Sequence, residues 1–292
     1  MDGDRQIQLD QVTATMTYLV PTGKKPVSYQ YDPPPGVPLR SGTYEDRRVQ
    51  VHNARRLPSE LSLDREGFAI VPHVTKAKDL SDDAVVKAVY YPEVEQLVKQ
   101  ATGAARVVIF DHTIRSAPLA GTGRKGIREP VKRVHNDYTV KSGPQRVRDL
   151  LPDQADELLK HRFAVINVWR PLRRTVEDTP LGLLDARSIA PQDLIATDLV
   201  YPDRVGETYA VAYNPAHRWL YYRRQRADEA VLLKCYDSKE DGRARFPAHS
   251  AFDDPTAPPG APPRESIEIR TLVFYPPENY AAPLPSPDRD RA

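Results

Sequence analysis

Two short motifs in this chain carry side chains that can do chemistry together. Of the seven histidines, at positions 52, 73, 112, 135, 161, 217 and 249, only His135 is followed two residues later by an acidic residue, Asp137. On a strand, side chains at i and i+2 leave the same face, so this imidazole and carboxylate can enter one pocket. A second histidine from a distant strand would complete a facial triad, the set that leaves positions open on Fe(II) for an oxo-acid and dioxygen. His249 and His217 both lie downstream at plausible distances. The second motif favours His249, because Arg264-Glu265-Ser266 follows it closely and is the one place where an arginine has serine at i+2. A guanidinium and a hydroxyl on one strand face form a fork for a carboxylate, with charge-assisted bonds from the arginine. Arg270 shares the parity of Arg264 and is the competing anchor; the serine partner favours Arg264.

Other residues are placed to line such a pocket. His112 and Arg115 stand at the end of a strand, where they either reach the pocket or form a polar turn. Asn167, Trp169 and Arg170 end an apolar strand before Pro171, a position from which Asn167 and Arg170 can touch co-substrate or substrate while Trp169 packs. Tyr138 adjoins the triad and either meets substrate or fills core. His217 reads as a strand-edge residue beside Trp219, and Cys235 as a buried, inert thiol.

The elements that must position these residues follow from the pattern. Weak alternation over residues 6–32 suggests a strand, with further extended pieces at Arg47–His52 and Gly67–Pro72, the last stopped by its proline. Ser81 is an N-cap for a helix over Asp82–Tyr90, and a second helix runs from Pro92 to about Ala101. Arg106–Phe110 is a β-branched, apolar run and reads as a buried strand. A glycine-bearing loop over 116–130 delivers the chain to the short strand Val134–Tyr138, and an amphipathic helix spans Pro144 to about Lys160. From Arg162 onward the chain is almost all strand-like: Phe163–Trp169, Leu181–Asp185, Leu194–Tyr201, Thr208–Tyr213, Trp219–Tyr222, Ala230–Tyr236 and Ile267–Tyr275. The fold class is therefore mainly β with flanking helices around a double-stranded β-helix, jelly-roll or cupin-like, core. Helices precede strands without βαβ alternation, and no glycine-rich phosphate fingerprint is present, which disfavours a Rossmann-type sheet.

Composition bounds the rest. The 292 residues are read as one catalytic domain, with residues 1–66 an N-terminal extension packed on the core, 67–275 the core and 276–292 a Pro-rich tail. Lys and Arg number 42 against 40 Asp and Glu, interleaved rather than blocked, so nucleic acid is not an expected partner. Cys235 is the only cysteine, which excludes an intrachain disulfide and a multi-cysteine zinc site and fits a reducing, cytoplasmic setting. No membrane span or export signal is read, and the oligomeric state is left open.

Several longer motifs carry a family resemblance: Tyr91-Pro92-Glu93, Thr102-Gly103-Ala104, Phe110-Asp111-His112-Thr113-Ile114-Arg115, Val134-His135-Asn136-Asp137-Tyr138-Thr139, Ile166-Asn167-Val168-Trp169-Arg170-Pro171, Cys235-Tyr236-Asp237-Ser238, His249-Ser250-Ala251-Phe252 and Pro263 to Arg270. Over roughly Gly67 to Tyr275 the chain resembles the CmcJ/AsaB/NvfI-like group of non-haem Fe(II), 2-oxoglutarate-dependent oxygenases of specialised metabolism. The resemblance implies iron at His135, Asp137 and His249, 2-oxoglutarate at Arg264 and Ser266, and O2 as oxidant. It further implies hydroxylation, desaturation or oxidative cyclisation at an unactivated C–H bond of a small-molecule, specialised-metabolite or amino-acid-derived substrate. Two other readings of the residues stand beside it: a metal-dependent oxygenase of the same fold that uses no 2-oxoglutarate, and a non-catalytic jelly-roll binding module.

Overall fold

The computed structural model describes residues 10–120 and 127–277. Among these, fifteen strands form two mixed sheets. The larger runs in the order β1 (Gln11–Val20), β3 (Thr43–Asn53), β12 (Trp219–Tyr221), β9 (Leu181–Leu184), β14 (Ala248–Ala251), β7 (His135–Asn136), β11 (Val205–Val211), β10 (Leu194–Val200) and β2 (Val27–Tyr29). The smaller runs β4 (Phe68–Pro72), β13 (Glu229–Asp237), β8 (Phe163–Pro171), β15 (Glu265–Phe274), β5 (Arg106–Ser116) and β6 (Ile127–Arg128). Two helices matter for packing, α1 (Tyr91–Thr102) and α2 (Ser142–Leu150).

Three apolar layers follow from strand alternation. Between the sheets lie Leu181, Leu183 and Leu220 from the larger and Val165, Trp169, Val231, Leu233, Leu272 and Phe274 from the smaller. The far face of the smaller sheet, with Ile166, Val168, Ile267 and Ile269, packs on Val94 and Val98 of α1. Strands β8 and β13 are buried along their whole length because both faces are covered, which is why they read as continuous apolar runs. On the far face of the larger sheet, Met16 and Tyr18 of β1 pack with Trp219, Tyr221 and Phe252. Isolated bridges from Thr17 to Arg133 and from Leu19 to Ala212 bring β1 back against the other half of that sheet, so it curls on itself. The result is the roll expected from the sequence, and β1, β2 and β3 are hydrogen-bonded members of its larger sheet.

Several expected boundaries shift for local reasons. The helix expected over Pro144–Lys160 breaks at Leu151, whose φ of −135° and ψ of 52° leave the helical region ahead of Pro152; a separate turn, Ala155–Leu158, follows. Asp82 rather than Ser81 caps the first helical segment, accepting from the Ala84 and Val85 N–H groups, while the Ser81 hydroxyl donates to Asp79. The strand expected to stop at Phe110 continues as β5 to Ser116. Its polar residues stay extended because β15 pairs with them along the whole run, with one bulge between Arg270 and Thr271. Gly121, Gly123 and Gly126 of the expected loop, and the tail from 278, lie outside the described residues.

A buried ionic knot ties β8 to β13 at the end far from the pocket. The Lys234 side chain is fully buried, with its ammonium 2.8 Å from Asp237 and 2.5 Å from Asp64, and Arg162 lies 2.7 Å from the same Asp237 carboxylate. Removing one member of a buried set leaves the others uncompensated. Asp237→Ala is therefore expected to lower the unfolding free energy by about 3–5 kcal/mol in denaturant titration.

Candidate metal centre

His135 of β7 and His249 of β14 are direct cross-strand partners on the inner face of the larger sheet, with ring centroids 4.3 Å apart. Asp137 follows two residues on, and one donor atom from each of the three lies within 4.8 Å of the others. Asn136 fixes this short segment. Fully buried, its side-chain amide donates to the carbonyls of Tyr138 at 2.7 Å and Cys235 at 2.8 Å, while its backbone carbonyl accepts from the Thr208 hydroxyl.

The tautomer of His135 is set by its backbone. A carbonyl can only accept, so Nδ1–H donates to the Arg133 carbonyl at 2.8 Å and Nε2 presents its lone pair, 3.6 Å from Asp137 Oδ1. Burial pushes both imidazoles down to about 4; for His135 the neighbouring imidazole adds to this, for His249 the Arg115 cation does, and Asp137 opposes it in both. Both rings are thus neutral near neutral pH, the form a metal requires. Burial alone would raise the Asp137 carboxyl, but Arg270, the two imidazoles and a 2.8 Å hydrogen bond from Asn167 hold it below the usual carboxylate range.

The smaller sheet supplies the facing wall. Arg264 sits just ahead of β15, and Ser266, Glu268 and Arg270 continue its parity along that strand, opposite Arg115, Thr113 and Asp111 of β5 and Pro171, Trp169 and Asn167 of β8. The two candidate anchors differ sharply in what they already touch. Arg270 lies 2.8 Å from Glu268, 3.0 Å from Asp111 and 3.7 Å from Asp137, and these carboxylates outweigh its burial and keep it charged. Arg264 is buried over the Trp169 ring, donates to the Thr179 carbonyl at 2.9 Å, and has no carboxylate partner among the described residues. Its Nε and the Ser266 hydroxyl are buried without hydrogen-bond partners. Burial, and after it the Arg115 charge, push the Arg264 guanidinium down to about 9.

Not every sequence candidate meets this wall. His112 pairs with Ile269 and Arg170 with Ile267, so both leave the opposite face. His112 hydrogen-bonds Tyr91 at 2.9 Å; Arg170 contacts His73, the Ala227 carbonyl and the Tyr90 ring. The expectation that they reach the pocket is corrected by strand parity. Asn167 does face the centre, and its amide nitrogen holds Asp137. Tyr138 packs its ring in the inter-sheet core, with Arg146, Arg270 and Asp137 as neighbouring charges. His217 lies apart, hydrogen-bonded to Asp193 and Tyr18 at 3.1 Å each. Cys235 is buried, and burial pushes its thiol well up. Asn136, Asp111, Thr113 and Glu268 were not singled out from the sequence; stepping by two from Arg264 finds Glu268, and the middle position of His-x-Asp finds Asn136.

The donor set suits a divalent transition metal, since two neutral imidazoles and an ionised carboxylate converge and the His249 Nδ1 is buried without a partner. The orphaned Arg264 Nε and Ser266 hydroxyl suit a carboxylate in the same way. Comparison with known proteins agrees with this chemistry. A family profile described as an oxidoreductase/YMDC permease-like domain matches residues 16–274. The chain is 36% identical over 259 residues to the Fe(II)/2-oxoglutarate-dependent dioxygenase nvfI of Aspergillus novofumigatus, covering 86% of this chain and 91% of that protein. It is 35% identical over 258 residues to the hydroxylase/desaturase efuI of Hormonema carpetanum, covering 80% and 85%. The solved structure of the iron and alpha-ketoglutarate-dependent endoperoxidase NvfI superposes with a TM-score of 0.83 at 31% identity, covering 91% of this chain and 98% of that one. The chain belongs to this family of Fe(II)/2-oxoglutarate-dependent dioxygenases. Fe(II), 2-oxoglutarate and O2 are therefore the reagents of this dioxygenase, and the oxygenase without 2-oxoglutarate and the non-catalytic module are set aside.

Asn167 gives the metal centre a specific test. Its amide is the hydrogen-bond donor on the outer oxygen of Asp137, and such supports commonly carry ten- to hundredfold in metal affinity. Asn167→Ala in the dioxygenase is expected to weaken Fe(II) binding roughly tenfold in anaerobic titration.

Proposed function

We propose that His135, Asp137 and His249 hold the iron, that Arg264 and Ser266 hold the far carboxylate of 2-oxoglutarate, and that the enzyme oxidises an unactivated C–H bond of a small specialised metabolite. The observation that carries the assignment is that the unpartnered buried polar atoms include the His249 Nδ1 on one wall and the Arg264 Nε and the Ser266 hydroxyl on the other. Unsatisfied buried polar atoms are costly, so their grouping on two facing strands favours a ligand between them. Arg270 is the weaker anchor because three carboxylates already surround it.

In this assignment the bound iron, with 2-oxoglutarate and O2, supplies the oxidising power. The protein's own residues do the positioning. Asn136 and Asn167 orient the His-x-Asp segment, and the Arg133 carbonyl keeps the His135 lone pair on Nε2. The Trp169 ring lies beside the guanidinium, and the apolar inter-sheet layer packs around the centre. Hydroxylation, desaturation and oxidative cyclisation share this machinery and differ in how substrate is held. Of the substrate-side candidates, Arg115 and Tyr138 remain on the inner face. The whole chain acts as one catalytic unit in the cytoplasm, a reading supported by the single buried cysteine and by the sheet pairing of its N-terminal strands.

Two variants separate metal from co-substrate. Asp137→Ala abolishes Fe(II) binding, whereas Arg264→Ala keeps it and raises the Kd for 2-oxoglutarate by roughly ten- to a hundredfold, the worth of a charge-assisted bond. Both are read from the metal-to-ligand charge-transfer absorption under anaerobic conditions. With substrate supplied, succinate and oxidised product form in step; product without succinate would sink the assignment.

A further inference from the structure

Among the described residues two non-glycines hold a positive φ, Thr179 and Arg224, each at 50°. For threonine this backbone is costly, because its branched Cβ crowds the left-handed region and Pro180 restricts the residue before it further. Such a conformation persists only where the surroundings over-determine it, and strain of this kind gathers at functional sites. The two residues belong to segments that are tied together. Glu177 pairs with Arg224 at 3.0 Å, and the Val176 N–H donates to the Gln225 carbonyl at 2.9 Å. Beyond Thr179, the Pro180 carbonyl accepts from the Phe252 N–H at 3.4 Å, directly after the strand that carries His249. Residues 172–180, which join β8 to β9, are thus fastened on both sides of Thr179.

What the strained residue reaches is the candidate co-substrate anchor. The Thr179 carbonyl accepts from Arg264 Nη1 at 2.9 Å, and the Trp169 ring centre lies 5.4 Å from the guanidinium carbon. A guanidinium is a rigid planar fork, so holding one terminal nitrogen on a carbonyl and one face on a ring sets the direction of the remaining N–H groups. One of these, on Nε, is buried without a partner. Resting on the co-substrate assignment above, we propose that Thr179 is a positioning residue for Arg264: its left-handed backbone, fastened through Glu177 and Pro180, aims the carbonyl that presets the guanidinium for the far carboxylate of 2-oxoglutarate. The conformation, not the threonine side chain, carries the role.

The sign of φ at position 179 is therefore the variable to change. Thr179→Pro forces φ to about −65° and turns the carbonyl off Arg264, whereas Thr179→Gly occupies the left-handed region freely. Each Fe(II)-loaded variant is titrated anaerobically, by charge-transfer absorption, with 2-oxoglutarate and with 2-oxobutyrate, which keeps the keto acid and lacks the far carboxylate. Thr179→Pro raises the Kd for 2-oxoglutarate by roughly three- to tenfold, the worth of one hydrogen bond. Its affinities for 2-oxobutyrate and Fe(II) stay at wild-type values, and Thr179→Gly keeps all three there. In the Arg264→Ala background Thr179→Pro adds no further loss, as residues acting through one contact require. Unchanged 2-oxoglutarate affinity in Thr179→Pro, an equal loss for 2-oxobutyrate, an equal loss in Thr179→Gly, or a full further loss in the Arg264→Ala background overturns the proposal. A second measurement stands even where the proline variant does not fold. Thr179-Pro180 is the only Thr-Pro pair in the sequence, so carbonyl-labelled threonine with nitrogen-labelled proline reports this carbonyl alone by NMR. Arg264→Ala shifts that resonance, and an unmoved resonance overturns the proposal. If Arg264→Ala itself leaves 2-oxoglutarate affinity unchanged, the co-substrate assignment fails, and this role with it.

Discussion

A β-strand sends successive side chains to opposite faces, and at this site that constraint decides which residues meet the metal centre and which meet the helices. Along β15, Ser266, Glu268 and Arg270 face inward, and Ile267 and Ile269 pack outward on α1. The same alternation on β8 turns Asn167 and Trp169 inward and Arg170 outward. On β5 it separates Arg115 from His112. A slip of one residue in any of these ladders would bury Ile267 where Ser266 stands and empty the wall of its charges.

Charge balance is the second layer of the design. Asp137, Asp111 and Glu268 surround one guanidinium, that of Arg270, and this keeps a carboxylate ionised beside two neutral imidazoles. Arg264, by contrast, has no carboxylate partner among the described residues, and its Nε is buried without a hydrogen bond. Burial strengthens these interactions and makes each unmatched group costly, so the wall is complementary to an anion before one arrives. The apolar layers around it, from Trp169 to Leu183, hold the two sheets at the separation that brings these groups together.

Much of this was legible in the sequence for a physical reason. His-x-Asp and Arg-x-Ser repeat at the strand period, so one-letter spacing already states a shared face. Seven of the strands after Arg162 were legible, the two buried central ones among them through continuous apolar runs, whereas β14, which carries His249, was not. What was missed depends on partners distant in sequence. Whether His112 or Arg170 faces the pocket is fixed by pairing with β15, and β5 extends past its apolar stretch because that partner satisfies its backbone. Arg264 and Arg270 look alike as letters; only the location of Asp111, Glu268 and Asp137 shows that one is saturated and the other is not. The break before Pro152 is the exception, a local signal that an unbroken amphipathic pattern concealed.

The most direct measurement is an anaerobic crystal structure with Fe(II) and 2-oxoglutarate, with diffraction recorded at the iron absorption edge. The account predicts a single anomalous peak bounded by His135, Asp137 and His249, with one carboxylate of the co-substrate on Arg264 and Ser266. Iron bound elsewhere, at His217 for example, or a co-substrate carboxylate seated on Arg270 would contradict it.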